Sequence, residues 1–166
     1  VAFFSNSSHL DQEGTSRLHA YANAGHIIAN HTHDHANFNE TDLSIFVDSF
    51  LVADKKLSTF ANYRKWFRFP YLREGNTLEK RDGMRKALRE KNYINGYVSV
   101  ATHDWLIEDL FQQAIVEQGK SDMVKMKQFY VSSILANLNF YQQLAVKQLG
   151  QSPKHVLLLH ETDTAA

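Results

Sequence analysis

The sequence predicts an α/β fold in which parallel strands are joined by crossover helices. Short apolar runs alternate along the chain with longer segments that have the apolar spacing of a helix, and this alternation is typical of parallel sheets. The length of 166 residues suffices for one domain with a sizeable core. Polar residues gather where the predicted strands end, which is where α/β sheets and barrels collect functional groups.

Apolar spacing and end signals define the individual elements. Short apolar runs favour buried strands, and segments with apolar residues three and four apart favour amphipathic helices. The elements in order are strand 1–4, helix 12–23, strand 26–30, helix 40–63, strand 66–70, helix 76–91, strand 93–101, helix 105–118, helix 121–149 and strand 155–160. The candidate N-caps are Asn39 or Thr41, Asn76 or Thr77, and Ser121, and the candidate stops are Gly25, Gly119 and Gly150.

Charge and cysteine content exclude several classes of function. Lys and Arg total 18 and Asp and Glu total 18, so the net charge is zero with neutral histidines. This balance gives no support for nucleic acid or an anionic membrane as a partner. The absence of cysteine excludes thiolate metal sites, cysteine nucleophiles and disulfides, and leaves the redox compartment open. The sequence has no apolar run long enough to span a bilayer.

Three alternating histidines, His31, His33 and His35, follow the predicted strand 26–30. Imidazole nitrogen is a common ligand of zinc and related metals. His31 and His35 are four positions apart, so one helical turn after the strand would aim both at one point, while His33 would point elsewhere. The pattern predicts two ligands of a metal site that takes its third ligand from another part of the fold. The alternative is a polar loop that happens to be rich in histidine.

Arg68 and Tyr71 mark the end of the predicted strand 66–70. Arg68 stands among aromatic residues, and a buried arginine needs a carboxylate or several acceptors. We expect it either to hold a catalytic carboxylate or to form a structural ion pair. Tyr71 follows Pro70, so its backbone N–H lies outside the sheet ladder and could donate to an oxyanion. Its ring could equally serve in packing.

Asp104, Trp105 and His160 follow the last two predicted strands. Asp104 opens a helix, so it is either an N-cap or a carboxylate that pairs with a histidine, orients it and raises the pKa of that histidine. Trp105 would then form the wall of a pocket. His160 ends an aliphatic strand and is either a satisfied core histidine or a general acid. Four successive strand ends each carry candidate chemistry, which predicts an active site.

These residues, in this order, resemble the motifs of the polysaccharide deacetylase family, also called the NodB-homology or carbohydrate esterase family 4 domain. Residues 31–35 (His-Thr-His-Asp-His) are similar to its His-[Ser/Thr]-x-x-His metal motif. Residues 67–71 (Phe-Arg-Phe-Pro-Tyr) are similar to its Arg-x-Pro-Tyr motif. Residues 104–105 match its Asp-Trp motif, and residues 158–160 (Leu-Leu-His) match its Leu-x-His motif. The resemblance covers residues 1 to about 160.

The resemblance implies a distorted, incomplete β/α barrel of the NodB-homology type, in one deacetylase-like catalytic domain over residues 1–166. It also implies a divalent metal, most often Zn²⁺, that activates water for attack on the acetamide or ester carbonyl of an acetylated polysaccharide or oligosaccharide. The implied site residues are the metal ligands His31 and His35, Arg68 as the residue that orients the catalytic base, the Tyr71 N–H as the oxyanion donor, the general acid His160 with its supporting Asp104, and Trp105 and Leu158 as the lining of the acetyl pocket.

The resemblance is incomplete at both ends of the chain. The family's first motif, a Thr-Phe-Asp-Asp run that supplies the catalytic base and an Asp metal ligand, is absent, and residues 1–4 resemble the family's second strand. The family's last strand and helix are also absent after His160. We therefore expect a deacetylase domain that is truncated at both ends. An extracytoplasmic location, periplasmic or secreted, is implied by the resemblance alone.

The same residues also fit two other functions. A catalytically inactive relative would keep the pocket and bind glycans without the base. An O-acetyl esterase would keep the chemistry and act on xylan. The motifs fit amide and ester substrates alike, and they fit peptidoglycan, chitin and other acetylated amino sugars equally.

Overall fold

The computed structural model describes residues 1–118 and 122–165, and it confirms the predicted α/β class with parallel strands. The strands are β1 Ala2–Ser5, β2 Ile27–Asn30, β3 Tyr63–Phe67, β4 Ile94–Asn95, β5 Val100–Ala101 and β6 Leu157–Leu158. The helices are α1 Gln12–Asn23, α2 Leu43–Leu57, α3 Leu78–Glu90, α4 Asp104–Gln118 and α5 Met123–Leu149, with short 3-10 helices at Pro70–Leu72 and Asp163–Ala165. The predicted helix ends at Gly119 and Ser121 lie outside the described residues.

The chain divides into two compact units, Val1–Gly96 and Tyr97–Ala166. The first unit contains a four-stranded parallel sheet in the order β1-β2-β3-β4. The crossover between each pair of neighbouring strands contains one α-helix, which is the usual connection between parallel strands. The second unit contains α4, α5 and a two-stranded parallel sheet of β5 and β6. The expectation of a single domain over the whole chain stays a prediction.

Helix α2 fixes the packing of the first unit because its apolar residues enter both buried clusters beside the sheet. Phe46 and Phe50 belong to an aromatic cluster, and Ala53 and Leu57 belong to an aliphatic one. All four side chains are fully buried. The predicted amphipathic pattern of this helix is therefore confirmed, and the helix holds a fixed position beside the end of β2.

Several predicted helix ends are confirmed by their backbone geometry. Gly25 and Gly150 have φ angles of 86° and 70°, the left-handed conformation that favours glycine after a helix. Thr77 is the N-cap of α3, and its hydroxyl accepts a hydrogen bond from the Lys80 N–H at 3.2 Å. The cap of α2 was predicted wrongly, because the extended residue before that helix is Asp42.

Two strand predictions are wrong in their boundaries. The helix predicted over 40–63 ends at Leu57. Asn62 has a φ of 57° just before β3, and β3 begins earlier than predicted, at Tyr63. The strand predicted over 93–101 is split into β4 and β5, which lie in different sheets. The break begins at Gly96, where an added Cβ would lie 2.5 Å from the Phe4 ring. Glycine inside a strand often marks such a close approach.

The last predicted strand, 155–160, is also shorter than expected. It is reduced to Leu157–Leu158, and both residues are half-buried rather than buried. In the second unit the buried apolar cluster consists of Ile107, Tyr130 and Ile134. Among the described helices, none combines the length and the apolarity that crossing a bilayer requires.

Candidate active site

The loop of residues 31–35, here called the histidine loop, follows β2 and brings the rings of His31 and His35 together. Their centroids are 4.8 Å apart, with the ring planes at 65°. The predicted helical turn is wrong, because the loop contains no helix and both Thr32 and His35 have left-handed backbones with φ angles of 66° and 56°. The pair is therefore formed by a strained loop, and not by the periodicity of a helix.

The two histidines fit part of a site for a zinc-type ion. The Nδ1 of His31 donates to the carbonyl oxygen of Arg68 at 2.7 Å. Since a carbonyl oxygen only accepts, this bond fixes the proton on Nδ1 and leaves Nε2 with the lone pair that a metal uses. Zinc sites take three or four protein ligands, and among the described residues no group of three or more His, Cys, Asp or Glu is arranged to hold a metal.

His33, the middle histidine of the loop, has a different environment. Its Nδ1 lies 2.9 Å from the hydroxyl of Ser7, and Ser7 is fully buried. The loop thus has one histidine that anchors it to the segment after β1 and two that form a pair.

Arg68 is buried at the end of β3 and lacks a carboxylate partner among the described residues. Its Nε donates to the carbonyl oxygen of Gly96 at 2.9 Å, and its guanidinium lies 3.9 Å from the centre of the Phe4 ring. Burial lowers the pKa of Arg68 to about 10. The structural ion pair, one of the two expectations, is therefore not formed within the described chain. The other guanidinium nitrogens keep their donors for an anionic group.

Tyr71 presents its ring beside the histidine pair. It lies in the 3-10 helix after β3 with a φ of 55°, and its ring is 4.8 Å from the His35 ring, edge to face. The side chain is 62% exposed, so the ring is not part of the core, and the choice between packing and a role at the site stays a prediction. Its backbone N–H donates to no acceptor within residues 1–118 and 122–165.

Asp104 and His160 form a hydrogen-bonded pair in the second unit. The Nδ1 of His160 donates to Oδ1 of Asp104 at 2.8 Å, and the backbone N–H of His160 donates to Oδ2 at 2.5 Å. The Asp104 side chain is 1% exposed and the His160 side chain is 47% exposed. His160 is therefore not a core histidine. Asp104 is the first residue of α4, and its carboxylate faces the imidazole.

The ionisation of Asp104 depends on this pair. Burial opposes the charge, but the hydrogen bonds from His160 outweigh it and hold the pKa of Asp104 below its usual value. The carboxylate, ionised at neutral pH, accepts a hydrogen bond from Nδ1 of His160 and leaves Nε2 as the other ring nitrogen.

Trp105 and Leu158, the predicted lining of an acetyl pocket, lie in the same unit as this pair. Trp105 is half-exposed, and its ring lies 6.3 Å from that of His103. Leu158 is half-buried, and its carbonyl oxygen accepts a hydrogen bond from the Thr102 hydroxyl at 3.0 Å. Their role in a pocket stays a prediction.

Comparison with known families decides the relationship. A family model described as polysaccharide deacetylase matches residues 1–94, which is more than half of the chain and includes both the histidine loop and the Arg68 motif. The chain belongs to the polysaccharide deacetylase family. The resemblance found in the motifs is therefore confirmed. Asp104 and His160 lie outside the matched range.

Solved structures share the fold of this deacetylase-family chain. The Bc1960 peptidoglycan N-acetylglucosamine deacetylase has a TM-score of 0.64 at 23% identity, over 98% of this chain and 59% of that one. A carbohydrate esterase family 4 pseudoenzyme from Bacillus anthracis, BA3943, has a TM-score of 0.64 at 15% identity, over 99% and 46%. A family 4 carbohydrate esterase from Streptomyces lividans has a TM-score of 0.58 at 16% identity, over 99% and 67%.

At these identities the similarity shows the fold alone, and it confirms the predicted fold class. The chain spans 59% and 46% of the first two structures, so it corresponds to about half of their length. No protein with a curated description matches the deacetylase-family chain significantly in sequence.

Two residues that shape the histidine loop were not predicted from the sequence. Asn30 bonds to the loop from the end of β2, and Ser49 of α2 accepts the N–H of His33 at 3.0 Å and donates to Asp34 at 2.6 Å. A polar asparagine that closes the apolar run 26–30 is a signal that could have identified Asn30. Ser49 has no comparable signal, because a serine inside an amphipathic helix is ordinary.

Acid is expected to remove the stabilisation that the Asp104–His160 pair provides. Since the pKa of Asp104 is lower in the folded chain than in the unfolded chain, where it is about 3.9, its contribution is present above that value and is lost as the pH falls through the lower folded pKa. We expect the stability loss of Asp104→Asn, measured by urea unfolding, to be full at about pH 5–7 and to shrink below about pH 4.

Asp82→Asn is the control for this pH series. Asp82 is exposed and pairs with Arg81 on the surface of α3, and such pairs contribute little to stability. We therefore expect a small effect from this variant. A loss of stability in Asp104→Asn that is independent of pH would contradict the pairing.

Proposed function

We propose that this chain carries the metal-binding histidines and the general acid of a hydrolase that removes acetyl groups from N-acetylated amino sugars of a polysaccharide. Membership of the polysaccharide deacetylase family supports the reaction class. The observation that carries the proposal is the joined pair of His31 and His35 at the end of β2, with the exposed Tyr71 beside it. A substrate of this class favours a periplasmic or secreted location.

In this proposal His31 and His35 hold a divalent metal, with Zn²⁺ favoured because both donors are imidazoles. When bound, the metal would supply a Lewis acid that lowers the pKa of coordinated water toward neutrality. The hydrogen bond from His31 Nδ1 to the Arg68 carbonyl would fix the ring and its tautomer. The third ligand and the general base are assigned to no residue of the described chain.

Two groups near the histidine pair, the Tyr71 N–H and the Arg68 guanidinium, would bind negatively charged groups in the reaction. The Tyr71 N–H would donate to the oxyanion that develops on the acetyl oxygen, because an amide in place before the reaction stabilises that charge without reorganisation. The Nε of Arg68 donates to the carbonyl oxygen of Gly96, and the other guanidinium N–H groups would orient the carboxylate of the general base.

The Asp104–His160 pair would supply the proton for the leaving group. As the C–N bond breaks, the imidazolium form of His160 would donate its Nε2 proton to the amine nitrogen and become a neutral imidazole with its remaining proton on Nδ1. Asp104 would hold Nδ1 and stabilise the imidazolium, which is the task of a buried carboxylate behind a catalytic histidine. Trp105 and Leu158 would line the acetyl methyl group.

Acetate release by the full chain tests this proposal. The chain is incubated with Zn²⁺ and either an N-acetylglucosamine oligomer or an acetylated xylan oligomer, and a metal-free sample treated with chelator serves as the control. Zinc-dependent acetate from the amino sugar supports the proposal. Acetate from xylan alone would replace the amide substrate with an ester and make the chain an O-acetyl esterase.

A second candidate is a relative that binds glycans without catalysis. Two observations favour it: no group of three metal ligands within the described residues, and the presence of a family 4 pseudoenzyme among the similar structures. Binding of the N-acetylglucosamine oligomer in titration calorimetry, without acetate release at any zinc concentration, would establish this function in place of the first.

A further inference from the structure

We propose that Asn30 is a positioning residue that holds the histidine loop in the shape that joins His31 and His35. Asn30 is the last residue of β2 and is fully buried. It lies one residue before the histidine loop, and its side chain bonds to backbone groups of Phe50 and Thr32. This inference deepens the proposed metal site and rests on it for its functional meaning.

The side-chain amide of Asn30 links helix α2 to the loop. Its Nδ2 donates to the carbonyl oxygen of Phe50 at 3.0 Å, and its Oδ1 accepts the backbone N–H of Thr32 at 2.9 Å. An amide carries a donor and an acceptor at once, which a carboxylate or an aliphatic side chain does not. Because Phe50 lies in the aromatic cluster of the first unit, the fixed end of this link is the core.

Thr32 is the residue that needs such a link. Its φ of 66° is left-handed, and a β-branched residue adopts this conformation only where its surroundings impose it. Thr32 is fully buried, and its carbonyl oxygen accepts the Ser7 N–H at 3.2 Å. The bond from its own N–H to Asn30 therefore helps to hold Thr32 in its left-handed conformation.

The constraint continues from Thr32 to the second histidine. The hydroxyl of Thr32 accepts the backbone N–H of His35 at 3.1 Å. His35 also has a left-handed backbone, so this bond constrains the backbone from which its ring projects. A chain of two hydrogen bonds thus connects Asn30 to His35, while His31 is the next residue after Asn30. Loss of the amide should loosen the pair and leave the sheet in place.

The test compares Asn30→Ala with Asn62→Ala as a matched control. The side chain of Asn62 also donates to a helix carbonyl, that of Ala22 at 2.7 Å, in the same unit. In the metal-free full chain, amide hydrogen exchange at Thr32 and His35 is expected to be at least about tenfold faster in Asn30→Ala than in the control, after correction for global stability measured by urea unfolding.

Zinc binding, measured by competition with a chromophoric chelator, gives a second readout. Removal of an outer-shell partner typically weakens metal binding by about 10–100-fold, and we expect this loss in Asn30→Ala and less than about twofold in Asn62→Ala. Asn30→Asp keeps an oxygen for the Thr32 N–H and removes the donor to Phe50. If Asn30→Ala does not fold, this variant is compared with Asn62→Asp, and faster exchange at His35 is expected.

The outcomes separate this inference from the proposed function. Equal exchange rates at Thr32 and His35 in the Asn30 variants and their controls would overturn the positioning role. Equal zinc affinity in Asn30→Ala and the wild type would also overturn the positioning role, and that result would not contradict the metal site. Faster exchange in a chain that binds no zinc would support the positioning role and reject the metal site.

Discussion

Replacement of His160 by alanine is expected to lower the turnover of the proposed deacetylation by about two to four orders of magnitude, the range for loss of a general acid. The amine is a poor leaving group until it is protonated, so the C–N bond breaks slowly without a positioned proton donor. His160 has the geometry for this task, because Asp104 holds Nδ1 at 2.8 Å and the ring is exposed. Acetate release under saturating zinc measures the effect.

His155→Ala is the control for this variant. His155 lies in the same unit, and its ring bonds to Gln142 and Ser99 rather than to a carboxylate. We expect His160→Ala to keep its zinc and lose turnover, and His155→Ala to keep both. Unchanged turnover in His160→Ala would remove this residue from the mechanism. Equal losses in both variants would attribute the effect to the fold of the second unit.

The fold class followed from the sequence because parallel sheets produce a signal that local patterns reveal. Buried strands such as β2 consist mainly of apolar residues, and α2 shows its buried face at helical spacing. The division of 93–101 into two strands was missed because its cause is distant in sequence. Gly96 breaks the strand where it meets Phe4 and Phe67, and a local window contains neither partner.

The candidate site was predictable in its residue types more than in its contacts. The histidine pair was predicted from helical spacing, yet the structure achieves it through left-handed residues at 32 and 35. From the residues alone the partner of Asp104 was predicted only as a histidine, and the family resemblance named His160, because the two lie 56 positions apart. Arg68 shows most clearly that contacts were hard to predict. It contacts the Phe4 ring and the Gly96 carbonyl, and because both are distant in sequence, the residues around Arg68 do not indicate them.

Replacement of either His31 or His35 by alanine is expected to abolish metal uptake. The described chain offers two imidazoles at this place and no group of three or more ligands, so the loss of one leaves a single nitrogen donor. This loss of metal affinity should be larger than the loss caused by removing an outer-shell partner, which is about 10–100-fold. Zinc per chain, measured by elemental analysis after dialysis against a fixed free-zinc concentration, gives the result directly for each variant and the wild type.

His33→Ala is the matched control, because it removes a histidine from the same loop. The ring of His33 faces the Ser7 hydroxyl, so its loss should weaken the anchoring of the loop and leave both proposed ligands in place. We expect His33→Ala to retain most of its zinc. Wild-type zinc content in both His31→Ala and His35→Ala would reject the ligand assignment. Complete loss in all three variants would mean that metal uptake depends on the shape of the loop rather than on two particular rings.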